Sequence, residues 1–278
     1  MHHISWLLIV GTLLASGEAL GQGLPTSQPA LLQIYREEVK IGHDADHVKT
    51  EVGWPAAFEK AKFPYYSLAL VSMTGAPEAW FVVPFESHAA LADAQRRQND
   101  PVLAAELARL QKADAQHLTN VTTIQAAARK DLGYGAFPET AKQRFWEITT
   151  FRVRPGHEEA FAAAARAYGL AAGRIAPGTS YRVYEVIAGM PGPTYLVFGS
   201  TTGFGEFDRM MADGMATMKG ANAEERAALQ KFSVEGLVSV VTHRFRVDPE
   251  MSYVPREVRE QDPAFWIPKR PAVKTSPR

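Results

Sequence analysis

The chain carries two passages in which apolar and polar positions alternate in the same order, one starting at Leu31 and the other at Phe145. From Leu31 to Val39 the side chains divide between two faces. Leu32 and Ile34 fall on one, and Leu31, Gln33, Tyr35 and Val39 on the other, which predicts a strand. A helical stretch follows over Asp44 to Ala61, interrupted at Gly53-Trp54-Pro55. Strands over Tyr65 to Met73 and Ala79 to Phe85 are joined by a turn at Thr74-Gly75-Ala76-Pro77. Ser87 caps the next helix, Pro101 to Ala115 reads as a further one, and Val121 to Ala126 as a closing strand.

The second passage repeats the plan. It predicts a strand over Phe145 to Val153, an Ala-rich amphipathic helix over Glu158 to Leu170, and strands over Tyr181 to Ile187 and Thr194 to Phe198. Thr201 takes the cap position that Ser87 holds in the first copy. Glu224 to Phe232 is helical and Val234 to Val247 is a long β-branched strand. The correspondence is residue by residue and needs no gap from 39 to 83. Gly42-His43-Asp44 returns 114 positions later as Gly156-His157-Glu158, Val39 as Val153, Gly75 as Gly189, Pro77 as Pro191 and Val83 as Val197. A repeat of this length is a whole small domain rather than a solenoid unit.

Composition adds limits. With 46% hydrophobic and 22% charged residues in 278, the chain has room for two compact domains with ends to spare. A formal net charge of zero offers no basic footprint for nucleic acid. The absence of cysteine excludes disulfides, thiolate catalysis and Cys-ligated metals. Residues 1–21 read as a secretory signal: an apolar core from Trp6 to Ala15, then Ala19-Leu20-Gly21 as a small-x-small cleavage site. The apolar run is short for a bilayer span, so a secreted or periplasmic protein without a stable membrane span is expected. The remaining boundaries are a Pro/Ser/Thr linker at 22–30, repeats at 31–135 and 144–250, and a Pro-rich tail at 251–278. That tail holds an apolar Phe265-Trp266-Ile267 cluster, which suits either a disordered end or an arm that packs on its own barrel or a partner.

The run Val153-Arg154-Pro155-Gly156-His157-Glu158-Glu159-Ala160-Phe161 carries a resemblance. A strand ending in an Arg-Pro-Gly turn, then acidic residues and a Phe on the first helical turn, resembles the dimeric α+β barrel superfamily. That group includes antibiotic-biosynthesis-type monooxygenases and NIPSNAP-like domains. The resemblance covers roughly residues 31–247. It implies an α+β fold in which two ferredoxin-like βαββαβ repeats pair, sheet to sheet, into an intramolecular barrel. Leu32/Trp146 and Ile34/Ile148 are then expected under the helices. The opposite face, with Gln33, Tyr35 and Glu37 in one copy and Glu147, Thr149 and Phe151 in the other, is expected to line a barrel cavity.

Several residues carry potential chemistry. His43 and His47 stand at i and i+4 and could chelate a metal from one helical face. The repeat argues against that, because His47 aligns with Phe161, a core position, so no metal is assigned. Glu147 is a general base if desolvated, or the partner of an arginine such as Arg182 or Arg244. Tyr184 belongs to a group of tyrosines on the central strands that pack or line a pocket. Haem within such a barrel requires an axial ligand, for which His243 is the best single residue; at the same offset the first copy has Arg129. No P-loop, G-x-S-x-G, H-E-x-x-H or dinucleotide fingerprint occurs. The leading expectation is an exported barrel binding a small apolar or aromatic molecule at Gln33, Tyr35, Glu147, Thr149 and Tyr184, with no cofactor. The alternatives are a cofactor-free or haem-dependent monooxygenase-like enzyme, and an assembly protein forming homo-oligomers through sheet edges and its tail.

Overall fold

The computed structural model describes residues 24–267. The proposed signal segment, residues 22–23 of the linker and the tail beyond 267 lie outside the described residues. The first half comprises β1 (Leu31–Val39), α1 (Asp44–Glu51), α2 (Gly53–Lys60), β2 (Ser67–Ser72), β3 (Glu78–Phe85), α3 (His88–Gln98), α4 (Pro101–Asp114) and β4 (Leu118–Ala128). The second comprises β5 (Phe145–Val153), α5 (Glu158–Ile175), β6 (Arg182–Ala188), β7 (Thr194–Thr201), α6 (Glu206–Gly220), α7 (Ala223–Lys231) and β8 (Leu237–Tyr253). The short helices α8 (Arg256–Gln261) and α9 (Pro263–Trp266) follow.

Within each half the sheet order is that of a ferredoxin-like unit, β4-β1-β3-β2 and β8-β5-β7-β6. Antiparallel pairing of β2 with β8 and of β4 with β6 closes the eight strands into one barrel. The duplicated glycines explain why the repeat is visible at all. Gly42 and Gly156 turn into the first helix of each half at φ +83° and +86°, and Gly75 and Gly189 turn between the central strands at +81° and +90°. A side chain is strained in that region, so glycine stays at all four places.

The barrel interior is an apolar core shared by both halves. Leu32 and Ile34 meet Ile148, Phe198 and Phe245 there, with Trp80 and Phe245 rings 5.2 Å apart. This reverses the expected faces: Leu32 and Ile34 point into the barrel, whereas Gln33, Tyr35 and Glu37 point at the helices. Eight strands enclose a space only wide enough for side chains to fill it, and such a space selects the apolar face. What remains is a cavity of about 70 Å³ at one end, where Leu32, Trp146 and Tyr184 meet Leu24, Pro25 and Phe137.

That barrel end is closed by segments expected to be loose. Gln28 donates to the Val183 carbonyl at 2.9 Å, which ties the linker across the strand ends. The tail folds back as well. Trp266 is buried against the barrel core, Arg144 pairs with Asp262, and the Arg144 guanidinium lies 3.8 Å over the Phe265 ring. Phe265 and Trp266 thus pack on the protein's own barrel, while Ile267 stays exposed.

Other boundaries match or depart from expectation for local reasons. The helical stretch is interrupted where expected, at Val52, and Gly53-Trp54-Pro55 forms the first turn of α2, where proline is tolerated. Thr201 is the buried last residue of β7 and caps nothing; α6 begins five residues later behind Gly205. Ser87 does cap α3, accepting from the Ala90 amide at 3.1 Å. β8 runs to Tyr253, three residues past the expected end of the second repeat. Among the described residues, no helix is long and apolar enough to cross a membrane.

Candidate functional site

In the first half α1, α2 and α4 stand off the outer face of the sheet and leave a cavity of about 650 Å³ between them. Two devices place the helices. Asp100 caps α4 by accepting from the Val102 and Leu103 amides, and Gly53 admits Leu110, whose Cδ2 would lie 2.4 Å from any Cβ added there. The walls are largely aromatic and aliphatic, with Trp54 and Phe58 from α2, Tyr65, Phe81 from β3 and Leu107 from α4. The mouth is rimmed by exposed polar residues at the end of α3, among them Gln95, and by the outer face of β4 at Thr119 and Val121.

The inner end is polar. Gln125 donates to the Gln33 side-chain oxygen at 3.2 Å, and Gln33 in turn donates to the Tyr35 hydroxyl. Burial raises the Tyr35 phenol, while the Gln33 bond opposes that rise. Beyond them lie Glu37, Glu51 and Asp114, with His47 behind. His47 Nδ1 lies 3.0 Å from Asp114 Oδ1. Desolvation lifts the Glu37 carboxyl to about 7, although the nearby His47 pulls it down. Burial, with the neighbouring charges of Glu37 and Asp114, lifts Glu51 to about 9. A carboxyl near 7 beside an apolar chamber has the proton affinity of a general acid–base group at neutral pH.

The expected site residues separate. Gln33 and Tyr35 share the cavity, but it lies between sheet and helices, not inside the barrel. Glu147 and Thr149 are on the other half. Glu147 accepts from Arg244 Nε at 2.8 Å, the ion pair anticipated as the plain alternative, and Thr149 bonds Thr242 at 2.9 Å across the strand pair. Tyr184 is inside the barrel, 3% exposed, its phenol raised by burial. His43 and His47 do not converge on one ion: His43 turns to His117, Nδ1 to Nδ1 at 3.0 Å.

His243 does not suit axial ligation of haem. Its Nδ1 is 2.9 Å from the buried Glu78 carboxylate, which a ligating imidazole could also have, but its Nε2, the atom left to ligate, lies under the β2–β3 turn, 3.2 Å from where a Gly75 Cβ would be. The barrel beside it is filled by Trp80 and Phe245. Its counterpart is also not Arg129. Ile148 pairs with His243 as Ile34 pairs with Ile124, so Ile124 is the equivalent residue, and the offset has grown to 119 by the last strand.

Sequence reasoning missed Glu51, Asp114 and the part played by Glu37. The signal was present in the repeat itself. Glu37, His47 and Glu51 stand where the second half has Phe151, Phe161 and Ala165, three polar residues for three apolar ones.

No family model and no curated protein matches the chain. Solved structures similar to it include a monooxygenase-like protein from Fusobacterium nucleatum, at 11% identity and a TM-score of 0.53, covering 79% of this chain and 92% of that one. One from Lactobacillus acidophilus matches at 8% and 0.50, covering 79% and 94%. A chlorite dismutase variant from Candidatus Nitrospira defluvii in complex with cyanide matches at 13% and 0.48, covering 84% and 95%. At such identities the likeness to the first two shows the fold alone: a closed α+β barrel of ferredoxin-like halves.

Proposed function

We propose that this protein binds a small, mainly apolar or aromatic molecule in the chamber between the first-half sheet and its helices. The observation that carries this reading is the contrast within that chamber. About 650 Å³ of space has aromatic and aliphatic walls and one polar end formed by Gln33, Tyr35 and Glu37. Small-molecule sites have this composition: apolar area for affinity and a few polar groups for orientation. The barrel, with about 70 Å³ left, has no comparable room.

A second reading, a monooxygenase-like enzyme acting on the same molecule, is favoured by one observation. Glu37 combines cavity exposure with a carboxyl lifted to about 7, as a residue exchanging protons with a bound substrate requires. The proposal places the protein outside the cytoplasm, after loss of residues 1–21.

The test uses N-phenyl-1-naphthylamine, a neutral aromatic dye that fluoresces on leaving water. The protein is expected to bind it saturably. Ala104→Trp, which adds bulk from α4 into the chamber, should weaken binding at least about tenfold, with circular dichroism verifying the fold. No binding by the unmodified chain, or equal binding by a folded Ala104→Trp variant, overturns the reading.

A further inference from the structure

The polar end of the chamber holds more acid than ligand binding requires. Glu37 on β1, His47 and Glu51 one turn apart on α1, and Asp114 at the end of α4 each present one atom to a common point. The four atoms lie within 4.8 Å of one another. His47, Glu51 and Asp114 are 2%, 3% and 3% exposed. Three carboxyl groups and one imidazole this deep need a compensating charge or shared protons, because buried uncompensated ions are prohibitive.

The imidazole shows which. With Nδ1 donating to Asp114, the His47 Nε2 lone pair faces Glu37 Oε2 at 3.8 Å, too far for a hydrogen bond. Both atoms are buried and neither has a hydrogen-bond partner. In that neutral tautomer the two unpartnered atoms are acceptors facing each other across a gap, the arrangement that a cation would join. A carboxylate bound to the far nitrogen of a ligating histidine is the usual second-layer support that fixes the ring.

We infer that this cluster binds one divalent transition-metal ion through His47 Nε2, Glu37 and Glu51, with Asp114 orienting the imidazole. The site rests on the cavity reading for access, since Glu37, Glu51 and Asp114 form part of the chamber wall and put the ion within reach of a bound molecule. The donors narrow the ion. An imidazole nitrogen among carboxylates suits Mn²⁺, Fe²⁺ or Zn²⁺ better than Ca²⁺ or Mg²⁺, and the chain has no thiolate to select a softer metal. Bonds of about 2.1 Å put opposite ligands about 4.2 Å apart, so the widest pair closes by roughly half an ångström on binding.

The test takes the full chain stripped with a chelator and titrated with Mn²⁺, read by electron paramagnetic resonance, and with Zn²⁺, read by calorimetry. One ion per chain is expected, with a pulsed spectrum of the Mn²⁺ form showing coupling to a single histidine nitrogen. Glu51→Gln and His47→Gln should each weaken binding about 10- to 100-fold. Should either variant fail to fold, the nitrogen coupling in the unmodified protein decides alone. Absence of saturable binding of both ions, absence of the coupling, or unchanged affinity in both folded variants overturns the inference. Dye binding to the stripped protein separates the two readings. Dye without metal leaves the chamber and removes the ion site, whereas loss of dye binding removes the chamber.

Discussion

The two halves solve the same packing problem in opposite ways. In the second, α5 and α7 close on the sheet through rings: Phe161 stacks on Tyr195 with centroids 4.1 Å apart, and meets Phe232 edge-on at 5.3 Å and Phe151 at 5.6 Å. In the first, His47 stands in place of Phe161, Glu37 in place of Phe151 and Glu51 in place of Ala165. Asp114 sits just ahead of β4, as Phe232 sits ahead of β8. One interface is a filled core, whereas the other keeps a buried cluster around Phe63, Phe85 and Leu103 and leaves a chamber of about 650 Å³ beside it. The backbone plan is common to both, so the difference lies in side chains. A helix–sheet interface becomes a site when its central aromatics are exchanged for groups that cannot pack without partners.

The largest expected effect tests the filled half. Phe161→Ala removes the centre of an aromatic cluster that is 4% exposed, and should cost about 3–5 kcal/mol of stability by urea denaturation. His47→Ala, at the equivalent place, removes a ring that abuts a chamber, and should cost clearly less. Equal losses would mean that the acid cluster is itself a core and that the contrast between the halves is false.

The repeat that underlies this contrast is legible in the sequence, whereas the contrast itself is not. The duplicated glycines and the period-two alternation placed β1 and β5 at their observed bounds, because positive φ and alternation are local properties. Facing was not local. Leu32-Gln33-Ile34-Tyr35 alternates cleanly, but which set enters the barrel depends on closure by strands far away in the chain. The polar set was therefore placed inside a barrel that has no room for it. Asp114 could not be seen as a site residue, since only the packing of α4 on α1 brings it beside His47 at 3.0 Å. The equation of His47 with Phe161 was correct as alignment, but the residue it implied was not: a core position in one copy is a buried, hydrogen-bonded imidazole in the other. The shift in offset from 114 to 119 hid the true counterpart of His243.

An intermediate effect sharpens the comparison through pH. The Glu51 carboxyl is raised from 4.5 to about 9, first by burial and then by the charges of Glu37 and Asp114. In the metal-free protein its proton is held in the folded state and released in the unfolded one. The contribution is thus fully present below about pH 4.5 and is lost as pH rises toward 9. Glu37, lifted to about 7, acts in the same sense over a narrower window. Glu51→Gln keeps the shape without the ionisation. It should stabilise the stripped protein by on the order of 2 kcal/mol at pH 8 and by almost nothing at pH 4.5. The second half, with Ala165 there, has no matching group to titrate. Thermal melts at the two pH values decide, and a pH-independent difference would show that Glu51 is not held protonated.

The smallest effect concerns Gln33 and Glu147, the pair that sequence alone made equivalent. Gln33 is 4% exposed and bonded into the polar end of the chamber, so Gln33→Ala should weaken naphthylamine binding. Glu147 belongs to an ion pair with Arg244 whose side chains are 22% and 27% exposed, and the Arg244 guanidinium also rests 4.3 Å over Phe207. Partly solvated pairs contribute about 0–1 kcal/mol, and glutamine can still accept from the guanidinium. Glu147→Gln should therefore shift the urea midpoint slightly and leave dye affinity unchanged. A loss of dye binding in Glu147→Gln, matching that of Gln33→Ala, would mean that the second half carries a chamber of its own. The division of labour between a packed half and a binding half would then be wrong.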